Sequence, residues 1–143
     1  MTDQHVTDSY IKDILTTTKS IALVGASKKE DRPAHKVMKF LLEQGYEVYP
    51  VNPGLAGEKL LGREVFARLG DIPAAIDMVD IFRQPDAVGP IVDEAIVKGA
   101  KVVWMQLGVI NEAAAEAART AGLTVVMDHC PAIEIPRLGL EKE

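Results

Sequence analysis

Between positions 25 and 39 the chain gathers Gly25, Ser27, Lys28, Lys29, Arg32, His35, Lys36 and Lys39. Glycine lets a backbone approach an anion closely, hydroxyl and amide groups donate to it, and cations neutralise it. The chemistry on offer is phosphate binding. Over residues 28–39 five basic side chains stand against Glu30 and Asp31, a local balance of +3. The formal net charge of the whole chain is −5, so the remainder carries −8. A basic island in an acidic protein suggests a small anionic ligand and argues against nucleic acid as the main partner. Charge alone is better explained by a solvated loop and helix face, so position in the fold has to decide.

Other reactive side chains offer less. His5, His35 and His129 are too scattered for a metal site, and Cys-x-x-Cys, His-Glu-x-x-His and Gly-x-Ser-x-Gly are all absent. Asp128-His129-Cys130 resembles a thiol beside its base, but neighbours on extended chain point to opposite faces, so a structural turn cysteine is expected. His35 is equally suited to contact phosphate or to pack. Arg83 follows a hydrophobic run and suits an anion anchor. Trp104 is expected in the core or an interface.

The elements that must position these residues follow one recurring pattern. Helical spacing, a glycine and a β-rich run appear in turn at Gly45, Gly99 and Gly122. Helices are predicted over 34–44, 86–98 and 111–121, with another near 9–17 and a short one near 63–69. Strands are predicted over 21–24, 48–51, 78–82, 102–105 and 125–127. These are short, rich in Val and Ile, and mostly lack polar alternation, as parallel strands covered on both faces do. The expected fold is α/β, a Rossmann-like doubly wound parallel sheet of about five strands with helices on both faces. A length of 143 residues, 48% hydrophobic and 26% charged, suits one domain over 1–143, with a helical extension at 1–16 and a frayed tail at 139–143. No run approaches the roughly 20 apolar residues of a membrane span, and the first five residues do not resemble a secretion signal. With one cysteine, a cytoplasmic protein is expected.

In such a sheet the ligand lies beyond the carboxyl ends of the strands. The loop Gly25-Ala26-Ser27 leads from the first strand toward a helix start and carries the basic island, so two independent features point to one phosphate site. A dinucleotide would ask for glycines at three spaced positions and an acidic residue near the end of the second strand. Ser27 and Glu30 occupy the second and third glycine positions, and the second strand ends in Val51-Asn52-Pro53. An NAD(P)-binding oxidoreductase or sensor is the alternative these features disfavour.

Gly25-Ala26-Ser27, His35-Lys36-Val37-Met38, Pro50-Val51-Asn52-Pro53, residues 77–83 and Trp104-Met105-Gln106-Leu107-Gly108 resemble, in order and spacing, the small bacterial CoA-binding proteins. That family resembles the CoA-binding domain of the succinyl-CoA synthetase α subunit. The likeness runs from about Thr17 to Pro136. It implies coenzyme A as ligand, with the Gly25, Ala26 and Ser27 loop and the helix start around Arg32, His35 and Lys36 taking phosphates. It implies Asn52 and Pro53 on the adenine and ribose side, and Phe82, Arg83, Gln106 and Gly108 along the nucleotide and pantetheine path. Leu55 stands where the synthetase has a lysine, so Lys36, Lys59 and Arg83 are unranked candidates for the ribose 3′-phosphate. Cys130-Pro131 resembles the synthetase's Asn-Cys-Pro turn, with His129 for the asparagine. The synthetase's phosphorylated histidine has no counterpart in these 143 residues. Binding of CoA or an acyl-CoA without turnover is therefore expected, alone, as a homo-oligomer or with a partner protein.

Overall fold

The computed structural model describes residues 6–142. In chain order the elements are α1 (Asp8–Thr17), β1 (Ser20–Val24), α2 (Pro33–Glu43), β2 (Glu47–Val51), β3 (Lys59–Leu60), β4 (Arg63–Glu64), β5 (Met78–Ile81), α3 (Val88–Lys98), β6 (Val102–Met105), α4 (Glu112–Thr120), β7 (Thr124–Val126) and α5 (Pro131–Arg137). Five strands pair in parallel in the order β2-β1-β5-β6-β7. The architecture is α/β and Rossmann-like, as the alternation of elements predicts.

Period-two alternation sorts the strand residues between two cores. Ala22, Val24, Val79, Ile81 and Val103 face Val88, Val92 and Ala95 of α3 and Ala115 and Ala118 of α4. Ile21, Leu23, Met78 and Trp104 join Ile11 and Leu15 of α1, Val37, Met38 and Leu41 of α2, and Ile135 of α5. β1, β5 and β6 are thus buried at every position on both sides, which explains their lack of polar alternation. At the end of α3, Gly99 takes φ +85° and its N–H donates to Ala95 O and Ile96 O, closing the last turn before β6.

One expectation fails, for a physical reason. Residues 63–69 form no α-helix; Arg63–Glu64 pairs antiparallel with Lys59–Leu60, and Leu69–Asp71 is a single 3-10 turn. Seven residues are too few for apolar spacing to separate helix from strand. Long-range contacts decide: Arg63 Nε donates to Val48 O at 2.8 Å, its guanidinium lies 4.9 Å from the Tyr49 ring centroid, and Phe66 bridges to Val51. The hairpin thereby lies along the β2 edge. In addition, α5 forms over residues for which the sequence pattern predicts no element. Its Pro131 occupies the first turn, where proline's missing N–H costs nothing, and Glu134 Oε1 accepts from Arg137 Nε at 2.9 Å. Beyond it, Leu140 N–H donates to Ile135 O, and Lys142 N–H to Gln44 Oε1 at 2.7 Å. Residues 1–5 of the expected N-terminal extension, His5 among them, lie outside the described residues. No helix among the described residues is long and apolar enough to cross a membrane.

Candidate functional site

β1 and β5 are neighbours, but the chain leaves β1 toward β2 on one side and β5 toward β6 on the other. The loops after these two strands therefore diverge and open a crevice at the carboxyl edge of the sheet. Two clefts lie in it. One, of about 860 Å³, lies on the α3 side; its lining includes Lys28, Lys29, Asn52, Pro53, Arg68 and Glu94. The other, of about 490 Å³, lies on the α2 side; its lining includes Arg32, Val37, Gln106, Leu107 and Cys130. Gly25, Ser27, Phe82 and Arg83 line both. They form a saddle over the sheet edge between the two clefts.

The larger cleft is electropositive. Lys28, Lys29, Arg68 and Arg83 face it against Glu94 as its one acidic lining residue. Lys28 Nζ also stands 3.6 Å from Glu58 Oε1. The amides of Gly25 and Ala26, expected to cradle phosphate, are taken up within the fold: both donate to Val51 O, at 3.0 and 3.2 Å. β2 lies beside this turn and continues the ladder into it. Among the described residues, the N–H groups of Ser27, Lys28 and Ala34 have no intramolecular acceptor, so the donors available to an anion lie a little further along the chain.

The loop is braced from two sides. Asn52 Nδ2 donates to Ala26 O at 2.7 Å, while Asn52 Oδ1 accepts from Gly54 N–H at 2.8 Å. His35 is buried, with Nδ1 3.0 Å from Ser27 O, so it holds the loop to the start of α2 and lines neither cleft. Lys36 is exposed and Lys59 lies in the hairpin; neither lines a cleft, which leaves Arg83 as the one of the three 3′-phosphate candidates that does. Gly108 is also outside both linings, its N–H donating to Asp128 Oδ1 at 2.7 Å and tying the turn after β6 to the turn after β7. The remaining predicted residues, Gly25, Ala26, Ser27, Arg32, Asn52, Pro53, Phe82, Arg83 and Gln106, line one cleft or both.

Trp104 is fully buried and its Nε1 donates to His129 O at 2.8 Å, a core role. His129 Nδ1 lies 2.9 Å from Met127 O, and Cys130 is buried at the N-cap of α5.

Two further residues, Arg68 and Asp80, are not among those the sequence pattern points to. Arg68 was concealed by the helix expected over 63–69. Asp80 sits mid-strand in β5, wholly buried, with Leu23 and Trp104 opposite it in the neighbouring strands. Burial pushes its carboxyl well above the usual carboxylate range. A carboxylate inside an otherwise apolar parallel strand was the signal that could have found it.

Residues 19–136 match the CoA binding domain family. The protein YneT of Bacillus subtilis (strain 168), described as uncharacterized, is 37% identical over 127 residues, spanning 89% of this chain and 93% of that one. The α subunit of acetate–CoA ligase [ADP-forming] I from Pyrococcus furiosus is 36% identical over 95 residues, which are 64% of this chain and 21% of the ligase subunit. A solved structure of a hypothetical protein from Pyrococcus horikoshii OT3 superposes with a TM-score of 0.91 at 47% identity, covering 96% of both chains. With the crevice at the strand-order reversal and the match across its sequence, the chain belongs to the CoA-binding domain family.

Proposed function

We propose that this domain binds coenzyme A across the carboxyl edge of its sheet. The phosphorylated adenosine end lies in the larger, basic cleft, and the pantetheine arm passes over Gly25 into the smaller one. The observation that carries this reading is the pair of clefts joined at Gly25, Ser27, Phe82 and Arg83. A ligand with a polyanionic head and a long neutral tail needs that form. Arg83 reaches both clefts and suits a phosphate near the saddle. NAD(P) fits less well. The residue after β2 is Asn52, engaged with Ala26 O and Gly54 N–H, where a ribose diol would ask for a carboxylate.

The same reading makes the domain a holder of its ligand, with no turnover of its own. His129 and Cys130 are adjacent, yet Cys130 is buried at the N-cap of α5 and, among the described residues, no hydrogen bond joins it to His129, which suits a structural thiol.

Calorimetric titration with CoA, NAD⁺ and NADP⁺ tests the binding. CoA is expected to bind most tightly, and tighter binding of either dinucleotide would overturn the reading. Incubation with CoA, a nucleoside triphosphate and a carboxylic acid tests the second point. Formation of the CoA ester by the purified chain would refute it.

A further inference from the structure

One buried group takes no part in the proposed contacts to CoA. Asp80 is entirely inaccessible, flanked in the sheet by Leu23 and Trp104, neither of which can ionise. By alternation along β5 its side chain shares the face of Met78, the side on which α2 and α5 pack and the smaller cleft lies. One terminal atom of the Gln106 side-chain amide stands 2.9 Å from Asp80 Oδ1 and 3.3 Å from Oδ2. Gln106 lines the smaller cleft, so its amide joins a buried carboxyl to the ligand space.

Two pairings place the amide on Asp80 and present opposite ends to the ligand. Against a carboxylate, the nitrogen end turned to Asp80 satisfies both ends of the amide, and against a protonated acid the oxygen end does so at Asp80. If Asp80 is ionised, Gln106 Nε2 donates to the carboxylate and the carbonyl oxygen Oε1 is the free end. If Asp80 is protonated, its hydroxyl donates to Gln106 Oε1 and the NH₂ group is the free end. A wholly buried carboxyl without a cationic neighbour favours the neutral form.

We infer that protonated Asp80 orients the Gln106 amide so that its NH₂ group faces the smaller cleft and donates to a carbonyl oxygen of the ligand. This rests on the CoA reading and refines it. The acceptor is a neutral carbonyl, either an amide of the pantetheine arm or the thioester of an acyl-CoA. Gln106 is the contacting residue and Asp80 the positioning one.

The test compares CoA and acetyl-CoA with adenosine 3′,5′-bisphosphate, which lacks the arm, on the whole chain. The readout is the affinity of each thiol ligand relative to the bisphosphate. Gln106→Met should lower that ratio about fivefold for at least one of the two, as loss of one hydrogen bond implies. Equal losses assign the acceptor to an arm amide. A loss confined to acetyl-CoA assigns it to the thioester. Asp80→Leu should lower the same ratio, and Asp80→Asn should restore most of it, because its NH₂ group donates to Gln106 Oε1 as the acid hydroxyl does. An unchanged ratio in Gln106→Met overturns the inference. So does an Asp80→Asn variant as impaired as Asp80→Leu, since the carboxylate would then be the working form. Should Asp80→Leu fail to fold, nitrogen-labelled protein decides. The Gln106 side-chain NH₂ resonance, assigned by its disappearance in Gln106→Met, should shift on adding a thiol ligand but not the bisphosphate; a resonance unmoved by both thiol ligands overturns the inference. Failure of the CoA reading itself shows separately, in a parent protein that binds CoA no better than the bisphosphate.

Discussion

A Cβ on Gly25 would stand 2.2 Å from the carbonyl oxygen of Phe82. The contact is to backbone, at the point where Phe82 N–H donates to Val24 O at 2.8 Å and holds the ends of β1 and β5 together. The backbone at Gly25 also has φ +95°, which a side chain strains. The fold thus demands glycine here before any ligand arrives. Gly25→Ala should destabilise the protein by about 3 kcal/mol or more, from combined strain and overlap. Urea denaturation measures this, and CoA affinity should fall with it. A variant as stable as the parent that has lost CoA would show instead that the glycine serves ligand approach alone.

Asn52 ties the turn after β1 to the turn after β2 through its contacts to Ala26 O and Gly54 N–H. Asn52→Asp keeps the acceptor and loses the donor, placing a carboxylate against the Ala26 carbonyl. The expected cost is about 1–3 kcal/mol of stability, with weaker CoA binding because the wall of the larger cleft is loosened. Asn52→Asp binding CoA like the parent would remove the bracing role.

Arg83 is exposed and lines both clefts. Arg83→Ala should leave the melting temperature nearly unchanged while weakening CoA by roughly 1.5–3 kcal/mol, the range of a charge-assisted hydrogen bond. Lys28→Ala should cost less, since its ammonium is exposed and already 3.6 Å from Glu58. The loss in Lys28→Ala should shrink further at high salt. Calorimetry at two salt concentrations separates these effects. Lys36→Ala, outside both clefts, provides the comparison for a cation of the same island.

Asp77 and Asp80 are shifted in opposite directions. Burial pushes the Asp77 carboxyl up, but the N–H groups of Lys19 and Ser20 and the Lys101 and Lys19 charges outweigh it and leave it lowered. Lys19 N–H donates to Asp77 Oδ2 at 2.9 Å. A lowered group contributes stability above its unfolded pKa, near 4, and loses it as pH falls through the folded value. Asp77→Asn should therefore melt below the parent at neutral pH. Asp80 is raised by burial, so at neutral pH it penalises the folded state, and below the unfolded pKa the penalty vanishes. Asp80→Asn should melt above the parent at neutral pH. Both differences should close on acidification, the first from below and the second from above. Thermal melts from neutral pH to about pH 3 test both signs.

Features that depend on neighbours along the chain were legible in the residues alone. Five apolar runs alternating with helix-spaced segments specify a parallel α/β sheet, because burial on both faces removes polar alternation. The glycine turn after β1 and the basic island beside it marked the crevice, and most residues named there line one cleft or the other. Tertiary structure decided which groups face the ligand. Gly25 and Ala26 N–H turn to Val51 O because β2 lies beside them, a partner 25 residues or more away in sequence. The same strand edge drew residues 59–64 into a hairpin, against a local pattern too short to specify either state, and brought Arg68 to the cleft. The resemblance implies His35, Lys36 and Gly108 as ligand contacts, and the structure places all three outside the two clefts, His35 in the packing role the sequence left equally open. Asp80 and Gln106 meet only because β5 and β6 pair in register, a relation that strand pairing alone creates.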